Sequence, residues 1–120
     1  MIRFTDSAYR QYFYRHWDWM AETGSESKGS FAPFQELRKL YKCLDQQLST
    51  ALADNCFACG ASIGSCEVGC PISSGNCSSN YGEWCNSETK QDRQKYACLI
   101  AQLPWRGKSR EEWEKEDGVR

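Results

Sequence analysis

From Asp54 to Asn80 the chain holds thirteen Gly, Ser or Asn residues and five of its eight cysteines, but only Phe57, Ile63, Val68 and Ile72 as larger apolar side chains. Ordering a residue costs about 1–2 kcal/mol of backbone entropy, and so few apolar groups cannot offset that by burial alone. Such a stretch takes a fixed shape only if crosslinks hold it, and its cysteines are the candidates. The rest of the chain is unlike a disordered sequence: five Trp, six Tyr and five Phe in 120 residues supply the material of a core. That length fits one compact domain.

The crosslink depends on the redox compartment. The opening MIRFTDSAYRQYFYRHWDWM breaks its apolar residues with charges every few positions, which matches neither a signal peptide nor a membrane span. A cytoplasmic setting is therefore expected, where cysteines serve as metal-bound thiolates rather than disulfides. Zn2+ is the expected ion, with an iron–sulfur cluster or disulfides left open.

Cys56-Phe-Ala-Cys59-Gly60 has the form of a zinc knuckle, in which two intervening residues let both sulfurs reach one ion and the glycine permits a tight turn. Cys66, Cys70-Pro71 and Cys77 follow, five candidates for four tetrahedral positions. The expected ligands are Cys56, Cys59, Cys70 and Cys77, with Cys66 as the substitute. Cys43, Cys85 and Cys98 are expected as buried thiols filling core gaps. A thioredoxin-type role for Cys56 and Cys59 would need a helix directly after the pair, where a Gly/Ser loop is expected instead.

Periodicity predicts a mostly α fold: three main helices, a short C-terminal helix, and an irregular cysteine-rich zinc-binding loop. Tyr9, Phe13, Trp17 and Met20 mark a helix over 7–23 that Gly24 stops. Leu37, Leu40, Tyr41, Leu44, Leu48 and Leu52 form one stripe and predict a single long helix over 33–53. Within one domain, 1–120, the helical part covers 7–53 and the zinc loop 54–86. The third helix follows over 87–104, with Ser87 as its cap, and a charged segment over 105–120 in which Ser109 and Glu112 form a capping box.

Catalytic constellations are missing. His16 is the only histidine, expected as a partly satisfied helix residue, and no nucleophile elbow or phosphate loop is present. A zinc held by four thiolates keeps no open position, so the chain is expected not to be an enzyme. Charge is segregated as well: between Cys43 and Thr89 there is no Lys or Arg, while each flank carries a net +2. An acidic cysteine-rich face argues against nucleic-acid binding. Trp105 and Trp113, in polar surroundings, are the expected partner-binding anchors.

The order of short motifs resembles a group of small cysteine-rich, zinc-binding proteins of bacteriophages and prophages. The matching residues are Trp17-Asp-Trp19-Met-Ala21, Cys56 and Cys59, Cys70-Pro71, Cys77, Tyr81 with Trp84, and Ile100-Ala-Gln-Leu103-Pro104. The chain departs at Cys66 to Cys70, where three residues intervene in place of the more usual two. The group has no agreed activity to carry over. The resemblance implies a phage origin and action in the cytoplasm of a bacterial host cell. A non-enzymatic protein that binds and inhibits or redirects a host protein, such as a defence-system component, is the leading expectation. A small zinc-containing regulator that binds nucleic acid is the alternative.

Overall fold

The computed structural model describes residues 1–62, 71–72 and 76–118, with the backbone alone for 76–79. Helix α1 (Asp6–Thr23) follows the predicted span closely. The Thr5 hydroxyl accepts from the Ala8 amide at 3.1 Å, satisfying one of the free N–H groups of the first turn. Gly24 ends the helix in the left-handed region, φ 67°, its N–H donating to the Met20 carbonyl. Its inner face buries Tyr9, Phe13, His16, Trp17 and Met20.

The long second helix does not form. Residues 32–53 divide into α2 (Ala32–Arg38), a 3-10 turn (Tyr41–Cys43) and α3 (Gln46–Ala53). Two contacts, one local and one distant in sequence, account for the break. Asp45 caps α3, its carboxylate accepting from the Leu48 amide at 2.8 Å, which requires extended backbone where a continuous helix would run. The N-terminus also pairs there: Ile2 donates to the Cys43 carbonyl, and Asp45 donates back to Ile2 at 2.9 Å. The leucine stripe consequently splits. Leu44, Leu48 and Leu52 are buried, whereas Leu40 and Tyr41 face solvent.

Two further helices lie in the stretch expected to be irregular, the single turn α4 (Phe57–Gly60) and the longer α5 (Asn76–Cys85). Helix α6 (Lys90–Ala101) starts later than expected because Thr89, not Ser87, caps it. Helix α7 (Arg110–Glu116) carries the predicted Ser109–Glu112 capping box. The described residues thus comprise seven α-helices and no strand, more helices than the three main ones and a short fourth read from the sequence.

Helix α1 packs along α6, α6 along α5, and α4 wedges between α1 and α3. The core they enclose is largely aromatic. Phe34 and Phe57 stack at 4.4 Å, and the His16 ring sits between Phe31 and Phe34. Trp17 meets Trp84 edge-on at 5.6 Å. No described helix is long and apolar enough to cross a membrane.

Candidate functional site

Asn55, in the left-handed region at φ 50°, turns the chain out of α3 and directly into α4. Asparagine tolerates that conformation, and its side chain accepts from the Arg38 guanidinium, which also reaches the Leu52 carbonyl at 3.0 Å. Cys56 stands just ahead of α4 and Cys59 within it, both half-buried. The Cys59 thiol beside it pulls the Cys56 thiol well below its ordinary pKa; burial opposes the shift, while the Cys59 amide, the Lys28 charge and the Ala58 amide reinforce it. Two soft sulfur donors at this spacing, with amides turned toward one of them, have the chemistry of half a tetrahedral thiolate site.

Gly60 has a role other than the expected turn. It lies inside α4 without a positive φ, and a Cβ there would meet Tyr9 Cε1 at 2.5 Å and Ala51 Cβ at 2.8 Å. It lets α4 press onto α1 and α3, which fixes where the cysteine pair sits.

The other expected ligands are located less fully. Cys66 and Cys70 lie outside the described residues, and Cys77 is placed only by its backbone, in the first turn of α5. Among the described residues no three His, Cys, Asp or Glu side chains come together as a metal-binding group. Cys43, Cys85 and Cys98, expected in the core, are all exposed. The buried positions beside them are taken by other apolar side chains, Leu44, Trp84, Ala97 and Ile100 among them.

The absence of basic residues between Cys43 and Thr89 is made good from outside. Lys28 extends its ammonium to the Asp54 carbonyl at 3.2 Å and over the Tyr81 ring at 4.3 Å. His16 holds the base of this arm, its Nε2 lying 3.1 Å from the Lys28 carbonyl. With Nε2 donating, Nδ1 is left buried without a partner. Burial, with the Lys28 charge added, pushes the His16 pKa down to about 3, so the ring is neutral. No sequence signal marked Lys28, which lies in a polar stretch that reads simply as a loop.

Arg106 arrives from the opposite side. Its guanidinium pairs with Asp6 at 2.7 Å and donates to the Ala61 carbonyl at 2.8 Å, while its backbone N–H donates to the Pro71 carbonyl at 2.7 Å. It can do so because Arg106 and Gly107 both have positive φ, forming a tight turn closed between Trp105 and Lys108.

That turn also corrects the reading of Trp105 as an exposed anchor. Trp105 is wholly buried, its indole N–H donating to the Asp6 carboxylate, distant in sequence, at 3.0 Å, so polar neighbours in sequence are no sign of exposure. Trp113 is half-buried, its indole N–H donating to the Trp105 carbonyl at 2.8 Å. It lines a cleft of about 380 Å3 between α1 and α7 together with Arg10, Tyr14, Arg15 and Arg110. The Arg10 guanidinium stacks on the Trp113 ring at 4.1 Å and is paired with Asp117.

Comparison of the chain with protein-family models, curated proteins and solved structures returns no match. Three of the four aromatic residues behind the phage-group resemblance gather in one place: Trp17, Tyr81 and Trp84 lie within 5.6–6.4 Å of one another, while Trp19 packs on Phe31. Their shared role here is packing.

Proposed function

We propose that this chain is a non-enzymatic interaction protein, clipped by one structural Zn2+, that binds a host protein in the bacterial cytoplasm. The observation that carries the reading is the Cys56–Cys59 pair, held thiol to thiol at the start of α4 in surroundings that favour the thiolate. Cys70 and Cys77 complete the set, with Cys66 as substitute. Each would supply a thiolate to a closed tetrahedral site whose work is to hold the segment rather than to react.

The α1–α7 cleft supports the binding role. Tyr14 and Trp113 line it, Trp113 presenting part of its ring there, and its Arg10 and Arg110 guanidinium groups are held by Asp117 and Asp18. Rigid aromatic and arginine side chains are the residue types that dominate interface energies. The phage setting, and a defence-system component as target, rest on the motif order alone. The nucleic-acid alternative is weakened in that three flank arginines are engaged: Arg10 with Asp117, Arg106 with Asp6, Arg110 with Asp18. Cations already paired contribute little to phosphate neutralisation.

The test is affinity capture from bacterial lysate with wild-type protein and Trp113→Ala side by side. A host protein retained by the first and lost with the second is the expected result. Equal capture by both, or retention of nucleic acid with a steep loss on adding salt, would overturn the reading.

A further inference from the structure

Helix α7 is joined to the molecule differently from the other short helices. None of its residues is buried, whereas α2, α3 and α4 each bury at least one. What holds it is mainly charge. At its start the Arg110 guanidinium donates to the Asp18 carboxylate of α1 at 2.7 Å and to the Ala101 carbonyl at 3.0 Å. At its end Arg10 of α1 reaches both Asp117 oxygens, at 2.6 and 2.7 Å. Between these ties Trp113 lies against the Arg10 guanidinium, and the Arg110 guanidinium lies over the Tyr14 ring at 4.9 Å.

The two ion pairs match in spacing. Arg10 and Asp18 are separated on α1 by about 12 Å of helix rise, and Arg110 and Asp117 on α7 by about 10 Å. Because the pairs are of opposite sense, both close only when α7 runs antiparallel to α1. Away from α1 the helix has little to sustain it. Its 7 residues fall well short of the roughly 12–15 at which an isolated helix is even marginal in water. The capping box steadies the first turn alone, and the exposed Arg110–Glu114 and Glu111–Lys115 pairs within the helix add little. Asp117 stands at the C-terminal end, where the helix dipole disfavours a carboxylate, so that end depends on Arg10.

The carboxylates of both ties meet solvent, Asp18 at 48% exposure and Asp117 at 23%, which leaves the ties open to screening by salt. The α1 groups beneath are buried: Arg10 is 4% exposed and Tyr14 6%. We propose that α7 is a strap, an element that lets go of α1 and melts while the rest of the molecule stays folded, its release promoted by salt and uncovering the Arg10–Tyr14 strip of α1. The strap is one wall of the cleft assigned above to partner binding, so its release regulates access to that site. That regulation rests on the binding reading; the release itself does not.

The experiment is hydrogen exchange read by mass spectrometry on the full chain at about 0.02 M and about 0.5 M salt. The amides of α7 should exchange at least about tenfold faster than those of α6 at low salt, and about threefold faster again at high salt with α6 unchanged. Asp18→Asn and Asp117→Asn keep the side-chain shape and remove the charge. Each should speed α7 exchange about fivefold at low salt and reduce the effect of salt, while α6 stays at the wild-type rate and so reports an intact fold. Exchange of α7 at the rate of α6 under both conditions would overturn the inference, as would fast exchange that neither salt nor either variant alters. Salt-promoted release in a protein that captures no host protein would sink the binding reading and leave the strap standing.

Discussion

Around His16 four aromatic rings lie within 4.9–6.5 Å, and that part of the molecule asks nothing of a ligand to hold its shape. Around Cys56 the neighbours are a second thiol, two amides and an ammonium group. The first region is fixed by burial, the second by polar ties that weaken unless something gathers them. The cysteine-rich segment nonetheless uses its few apolar residues efficiently: Phe57 and Ile72 are pushed singly into a core built by α1, α2 and α6. Scarce hydrophobicity serves there as pegs.

The comparison breaks most sharply at the peg itself. Phe57→Ala removes a fully buried ring stacked on Phe34 and should cost about 3–5 kcal/mol in urea unfolding. A loss below about 1 kcal/mol would mean that the segment is not anchored through Phe57.

Acid probes the self-sufficient region. The His16 pKa is about 3 in the folded protein against an ordinary 6.5, so between those values the unfolded chain binds the extra proton. Stability from this group is therefore complete above pH 6.5, falls as the pH drops below it, and reaches its floor near pH 3. At pH 4.5 the loss should be about 2–3 kcal/mol. His16→Phe should remove this component of the pH dependence, measured as thermal unfolding from pH 7.5 to 4.5.

A smaller effect sharpens how the regions join. Gly60→Ala forces Tyr9 or Ala51 to move and should cost about 1–3 kcal/mol, with the larger share in the unfolding rate if α4 docks late. An unchanged stability would show that α4 sits less tightly on α1 than the 2.5 Å approach demands.

Sequence made the self-contained elements legible. Thr5, Gly24 and the Ser109–Glu112 box act within a few residues of themselves, so α1 and α7 were readable. The break at Asp45 was not, because a leucine stripe with helical spacing outweighed a single cap, and the pairing with Ile2, more than forty residues away in sequence, leaves no local signal. Helix α5 was hidden by its Asn-, Ser- and Gly-rich composition, although Tyr81 and Trp84 stand three residues apart on it. Trp105 misled because exposure was inferred from its sequence neighbours, whereas its indole is buried against Asp6, 99 residues away. At the candidate site the Cys56–Cys59 spacing was legible, whereas Lys28 and Arg106 carry no local signal and emerge only when the chain is folded.

Metal content coupled to stability addresses the central claim directly. Purified protein should carry one Zn2+ per chain, lose it in Cys56→Ser, and show a markedly lower unfolding temperature after chelation under reducing conditions. Metal-free protein whose unfolding is unchanged by chelator and thiol reductant would contradict the account.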